Sequence, residues 1–186
     1  MSQDFLTNQF LLAMPALDDP HFRASVTFIC EHNPQGALGI IINRPMNVVL
    51  SDVLKQLSLE TRDLVLGGTQ VYHGGPVQPE RGFVIHEPQG GWEATLKVGE
   101  SVGVTTSRDV LAAVAEGRGP TRMFVALGYA GWEAGQLEKE IQSNSWLSTP
   151  ADSSIIFDTP VEQRWQAAAK LIGVDLALLS GDAGHA

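Results

Sequence analysis

The chain has 186 residues, 44% hydrophobic and 18% charged, which fits one globular domain over residues 1–186 and excludes a disordered or fibrous chain. Its 21 acidic and 12 basic residues give a formal net charge of −9, which opposes direct binding to DNA, RNA or anionic membranes, because these need clustered Lys and Arg. One cysteine excludes an internal disulfide framework, MSQDFLTNQF lacks a basic leader start, and no apolar run is long enough to span a bilayer, so a soluble cytoplasmic protein is expected.

In chain order, FLLAMP, VTFICEH and ALGIIIN read as strands, separated by turn residues. SDVLKQL follows as a helix with Ser51 as its N-cap. LVLGG, GFVIHE, WEATLKV and VGVTT read as further strands. TSRDVLAAVAEG is a helix whose start pairs Thr106 with Asp109 and whose stop is Gly117. RMFVALGYAG is apolar on both faces, the pattern of a central, doubly covered strand. AGQLEKEIQSN is a helix and SIIFD a strand. TPVEQRWQAAAKLIG is a helix capped by Thr159, with Val161, Trp165, Ala168 and Ile172 on one stripe. Strands precede most helices, so the fold class is α+β: a single domain with a mixed sheet and about four helices. Glycine pairs at 67–68, 74–75 and 90–91 predict strong bends, and residues from about 180 a flexible tail.

Three stretches carry candidate chemistry. In FICEHNPQGALGIIINRP, a turn at Asn33–Gly36 sets His32 opposite Ala37 and Cys30 opposite Gly39. Alternation then places Cys30 and His32 on one face, about 7 Å apart, where an imidazolium would favour a reactive thiolate. The competing reading makes Cys30 a packing residue behind Val26 and Phe28. In VYHGGPVQPERGFVIHE, the Gly74–Gly75 excursion with Arg81 reads either as an anion cradle or as a structural corner. His73 and His86 bridge strand ends on this reading. In LGYAGWEAGQLEKEIQSNSW, Tyr129 and Trp132 either floor a pocket or pack on the following helix, with Glu138 and Glu140 as a solvated face. The carboxylates at 138 and 140 fall on different helix faces and do not converge. The chain contains no HExxH, CxxC or GxSxG, so no metal, cofactor or catalytic residue is assigned.

EHNPQGALGIIINRP, GGPVQPERGFVIH, SRDVLAAVAEGRGP, LGYAGWEAGQLEKEIQSNSWL and PADSSIIFDTP together resemble the YqgE/AlgH family of bacterial proteins, the uncharacterised family UPF0301, over essentially the whole chain. The resemblance implies a one-domain α+β fold whose sheet bends into a pseudo-barrel flanked by helices. It implies no established activity, although one member was named as a regulator of alginate biosynthesis genes. It also implies a recurrent motif of Glu31, His32, Asn33, Asn43 and Pro45, with Arg or Lys at position 44. Cys30 matches a position that is aliphatic in some members, as a packing site would be. Position 133 is Glu here where many members have Gly, which argues against a catalytic role.

The first reading of function is therefore a non-enzymatic regulatory or interaction protein that affects transcription, if at all, through a protein partner. The alternative is a small-molecule binder or enzyme with one pocket built from Glu31–His32–Asn33, Asn43–Arg44, Gly74–Gly75 with Arg81 and His86, and Tyr129 with Trp132. A thiol sensor using Cys30 is the third reading. The alternative requires its turns to converge on one concave surface.

Overall fold

The computed structural model describes residues 5–15, 17 and 19–173, so the expected tail lies outside the described residues. Ten strands occur there: β1 (Gln9–Ala13), β2 (Val26–Asn33), β3 (Gly36–Ile41), β4 (Pro45–Val49), β5 (Gln70–His73), β6 (Val77–Glu87), β7 (Thr95–Val98), β8 (Val102–Thr105), β9 (Arg122–Glu133) and β10 (Trp146–Pro150). They pair antiparallel in the order β10-β1-β2-β3-β9-β6-β8-β7, while β5 joins β9 in parallel and β4 joins β5. The sheet is mixed, as expected, and it curls into a half-barrel. Among the described residues, no helix is long and apolar enough to cross a membrane.

The half-barrel interior is the largest core, holding Phe10, Phe28, Cys30, Ile40, Phe83, Ile85 and Phe124. It is closed by α5 (Ser153–Phe157) and α6 (Arg164–Ile172) through Ile155, Ile156, Trp165 and Ala168. On the outer surface α1 (Leu50–Gln56) and α3 (Arg108–Ala115) cover Val71, Val84 and Val125. A third cluster packs Leu137 of α4 (Gln136–Gln142) on Ile29, Ala130 and Trp132. Each fully buried side chain of this kind contributes about 1.5–3 kcal/mol.

Strand β9 is central and covered on both faces, with Phe124 and Ala126 turned inward and Val125 outward. It serves three neighbours. Residues 125–127 pair with β5, 122–129 with β6, and 130–133 with β3. The change of partner occurs at Gly128, whose φ of +81° belongs to the left-handed region that glycine enters without steric cost. Gly74 and Gly75 run directly against this bend. A Cβ on Gly74 would meet the Gly128 carbonyl oxygen closer than 3.0 Å, and one on Gly128 would meet that of Gly75. The Gly74 N–H donates to the Leu127 carbonyl at 2.8 Å, and its own carbonyl accepts from the Ile41 N–H at 2.8 Å. The glycine pair at 74–75 is thus the point where β3, β5 and β9 cross.

Several local expectations are corrected. LVLGG is not a strand but α2 (Leu64–Gly67), because the Asp63 carboxylate accepts from the N–H groups of Val65 and Leu66 at 3.0 and 3.1 Å. The place beside β9 goes to β5 instead. SIIFD is likewise helical, as α5, with Asp152 accepting from the Ser154 N–H. A short apolar run has no period by which to separate strand from buried helix. Helix α1 begins after Val49, not Ser51, with Asp52 accepting from the Val49 N–H at 3.1 Å. Helix α3 is preceded by Ser107 rather than Thr106. The last helix opens with a 3-10 turn at Val161–Gln163. There Thr159 does not cap: its carbonyl accepts from Arg164 Nε at 2.9 Å and its hydroxyl donates to the Ser154 carbonyl.

Gly128→Ala combines a left-handed backbone with a backbone clash, and it is expected to lower stability by about 2–4 kcal/mol. Gly91→Ala, where a Cβ meets nothing within 4 Å, is expected to stay within about 0.5 kcal/mol of the parent, both variants being read by urea titration.

Candidate functional site

The β2–β3 hairpin turns at Asn33–Gly36 and pairs His32 with Ala37, as expected. Above the turn the register shifts: Ile29 pairs with Gly39 but Glu31 with Leu38, so Cys30 is the extra residue of a bulge and is not opposite Gly39. The bulge reverses which face each later residue occupies. Cys30 stays in the half-barrel core with Phe28, whereas His32 crosses to the side where Ala37 and α4 pack. The pair therefore shares no face. The Cys30 thiol approaches the Phe28 carbonyl at 3.6 Å, and burial, followed by the charge of Glu31, pushes its pKa far upward. That environment opposes the thiolate a sensor needs.

His32 is 5% exposed and hydrogen-bonded at one of its two ring nitrogens. The Leu6 N–H donates to Nδ1 at 2.9 Å, which leaves the ring proton on Nε2, 3.3 Å from Glu138 Oε1. The Phe5 ring meets the imidazole edge-on at 5.1 Å. His32 thus ties the segment before β1 to the hairpin and α4.

The open end of the half-barrel is a concave mouth of about 460 Å³. Its rim carries Glu31, Asn33 and Gln35 from the hairpin, and its wall Leu38, Tyr129 and Val77. Glu133 and Trp132 complete it from the end of β9. Asn33 is shaped for the turn, accepting from the Gln35 N–H at 2.9 Å. Trp132 contributes an edge only, since it is 7% exposed and packs against Trp146 at 6.0 Å. Both indole N–H groups donate to Glu140 Oε1, at 3.0 and 2.9 Å, and Gln136 Nε2 donates to Oε2. Glu140 is therefore not part of a solvated face but the fixed anchor of the mouth's outer wall. The spacing of Trp132, Glu140 and Trp146 around one helix was the available signal. The carboxylates of Glu138 and Glu140 do diverge, each to its own partner.

The remaining candidates lie elsewhere. Asn43 and Arg44 sit at the far end of the hairpin. There Asn43 Oδ1 accepts from the Val26 N–H at 2.9 Å and Nδ2 donates to the Ala24 carbonyl at 3.0 Å. Gly74 spends its amide within the crossing, and the Arg81 guanidinium stands 5.2 Å from the Phe83 ring centre, so no anion cradle forms between them. His86 is wholly buried: Nδ1 donates to the Pro88 carbonyl at 2.9 Å and Nε2 accepts from the Thr105 hydroxyl at 2.7 Å. Gly103 leaves room for that ring, since a Cβ there would meet His86 Cε1 at 2.6 Å. The four turns therefore do not share one pocket. Among the described residues no group of three or more His, Cys, Asp or Glu is placed to hold a metal ion.

Two predictions follow from these partners. Glu140→Ala strands two buried indole N–H groups and is expected to cost about 2–3 kcal/mol in urea unfolding, with a shift of tryptophan emission. Burial lowers the pKa of His86, the Pro88 hydrogen bond opposing, and burial followed by His21 and Arg44 lowers that of His73. The unfolded chain then binds protons at higher pH than the folded one, so stability is complete above the ordinary 6.5 and declines as the pH falls below it. Urea titrations from pH 8 to 5 should show this decline, and His86→Gln should reduce its slope.

A family model described as AlgH-like matches residues 10–177. A UPF0301 protein of Nitrosococcus oceani is 56% identical over 182 residues, covering 98% of this chain and 97% of that one. A UPF0301 protein of Thioalkalivibrio sulfidiphilus is 59% identical over 180 residues, covering 97% and 96%. The solution structure of the AlgH protein from Pseudomonas aeruginosa superposes with a TM-score of 0.81 at 48% identity, covering all of both chains. A crystal structure of a Corynebacterium diphtheriae protein matches at a TM-score of 0.73 and 20% identity, covering 96% and 92%, a likeness of fold alone.

Proposed function

Since the chain belongs to the AlgH-like, UPF0301 family, we propose that it is a non-catalytic regulatory protein of the cytoplasm, which binds a protein partner through the mouth of its half-barrel. The observation that carries this reading is the convergence of the Glu31–Asn33 turn, Tyr129 and Trp132 on one cavity together with Val77, the residue after Gly-Gly-Pro. Glu31 and Glu133 are exposed carboxylates, Asn33 and Gln35 are amides, and Tyr129, Leu38 and Val77 give the floor apolar area. An apolar floor inside a polar rim is the anatomy of a recognition patch, and its two acids select a partner segment bearing Lys or Arg. The histidine nearest the rim supports binding over acid–base catalysis, because His32 does not line the mouth: its Nδ1 accepts from the Leu6 N–H and its Nε2 is buried 3.3 Å from Glu138 Oε1. Any effect on transcription then runs through the partner, in keeping with a net charge of −9.

A photo-crosslinking residue at position 35 should capture one reproducible protein from cells. The double variant Glu31→Lys with Glu133→Lys should abolish the capture while leaving the melting curve unchanged. Capture that is indifferent to this charge reversal overturns the reading.

A further inference from the structure

Past Tyr129, strand β9 has a neighbour on one edge only. Among the described residues, β6 pairs with β9 as far as Val77 opposite Tyr129, while β3 pairs with residues 130–133 along the other edge. The direction of each backbone group follows from its neighbours, because successive residues of an antiparallel strand aim their N–H and C=O groups to opposite sides. The His32 N–H donates to the Thr7 hydroxyl at 3.0 Å, away from β3, and the Ile41 N–H donates to the Gly74 carbonyl at 2.8 Å, away from β2. Ala37 and Gly39 therefore aim at β9, and their partners Trp132 and Ala130 aim back.

Gly131 and Glu133 are left facing the open side. The Glu133 N–H shows this directly, since it leaves the ladder and donates to Gln136 Oε1 at 2.9 Å. The Gly131 N–H, the Gly131 carbonyl and the Glu133 carbonyl face the lane that β6 has vacated, and both residues are exposed. That lane borders the mouth, which Gly131 and Glu133 line together with Val77. Two cross-strand rows run out to it, one through Glu31, Leu38 and Gly131 and the other through Asn33, Gly36 and Glu133. A Cβ at Gly131 would meet the Tyr129 ring at 3.4 Å and Val77 Cγ2 at 3.8 Å, so the glycine leaves these two apolar groups partly uncovered beside the open edge. An edge of this kind is a template for another strand.

We propose that the mouth receives its partner by strand addition: an extended segment of the partner protein lies antiparallel to β9 in the vacated lane, with Lys or Arg opposite Glu133 and an aromatic or β-branched residue opposite Gly131. This deepens the reading of the mouth as a partner site and rests on it. The open backbone groups sit two residues apart, which is the period at which an extended chain presents its own donors and acceptors. The residue opposite Gly131 exchanges both backbone bonds with it, and the residue opposite Glu133 donates to the Glu133 carbonyl. Both side chains stand on the mouth face, where the first covers Tyr129 and Val77 and the second meets the Glu133 carboxylate. An opposite-charge pair and a large side chain over an edge glycine each favour this register. In antiparallel order the segment reads basic, any residue, then aromatic, and it turns away there because Val77 already holds the place opposite Tyr129. A second copy of this chain fits poorly, since it would bring the same acids, Glu31 and Glu133, to the contact.

The probe is the peptide acetyl-Thr-Lys-Thr-Tyr-Gly-Ser-amide, titrated into the ¹⁵N-labelled full chain. The Gly131 amide should shift saturably, and its hydrogen exchange should slow. N-methylation of the peptide's tyrosine removes the donor to the Gly131 carbonyl and should weaken binding by about fivefold or more. N-methylation of the threonine between lysine and tyrosine, whose N–H faces away from β9, should weaken it far less. Replacing the peptide's lysine by glutamate should weaken binding several-fold, and Glu133→Lys should restore it, a gain that a damaged fold would not give. The proposal is overturned by the absence of a saturable Gly131 shift up to about 10 mM, or by equal responses to the two methylations. A Gly131 shift that appears on concentrating the chain alone also overturns it, because a second copy then holds the edge. If charge reversal at the mouth abolishes capture from position 35 while the peptide responds equally to both methylations, the partner reading stands and strand addition falls. If the peptide behaves as expected while position 35 captures nothing, strand addition stands and the cellular partner falls.

Discussion

The structure depends on one close approach of backbones. Gly74 and Gly75 cross β9 at Gly128 with no Cβ on any of the three residues, because a Cβ at each would overlap the backbone of the others or of Tyr129. This contact lets β9 exchange β5 for β3, while β6 pairs with it as far as Tyr129. It joins two small sheets into one curled sheet and spares each an exposed edge at that point. The left-handed Gly128 also resets the alternation. Phe124 and Ala126 face the core before it, whereas Tyr129 faces inward after it and Ala130 and Trp132 face α4.

A second irregularity lies close by on the neighbouring strands. Ile29 pairs with Gly39, which pairs with Ala130, so the Cys30 bulge lies only about two residues along the sheet from the Gly128 bend. Both displace the following residues to the other face. Beyond the two irregularities Glu31, Leu38 and Tyr129 line the mouth, while His32, Ala37 and Trp132 turn toward α4 and its two carboxylates. The mouth thus exists because two neighbouring strands are irregular together. A regular hairpin would have set His32 on the core side, where a buried imidazole lacks these partners.

Much of this was legible in the sequence, for reasons that differ by residue. Asn33-Pro-Gln-Gly announced its turn through residue chemistry, and the apolar run at 122–131 announced a strand covered on both sides. Glycine pairing at 74–75 announced a sharp excursion, though not that its partner was Gly128, far along the chain. The Cys30 bulge was hidden because it is a property of the hydrogen-bond ladder, and side-chain alternation continues unbroken through Cys30. The helices at 64–67 and 153–157 were hidden because four or five apolar residues have no period, and the deciding caps, Asp63 and Asp152, lie just outside each run. Glu140 was read as solvated because its two indole donors lie on separate strands that only tertiary packing brings together.

The hairpin also divides the charge of the molecule. One end carries the exposed carboxylates of the mouth, and the other Arg44, whose guanidinium donates to the Arg23 carbonyl. A net charge of −9 averages these away, so composition alone could speak against nucleic acid but not reveal a local cation cluster. At about 23 Å the two ends lie more than two Debye lengths apart at physiological salt, so direct electrostatic coupling between them is screened. Any communication would have to pass through the strands, and β2 and β3 are paired on both edges and buried over most of their length. A ladder held in that way lets substitutions at either end be read without disturbing the other.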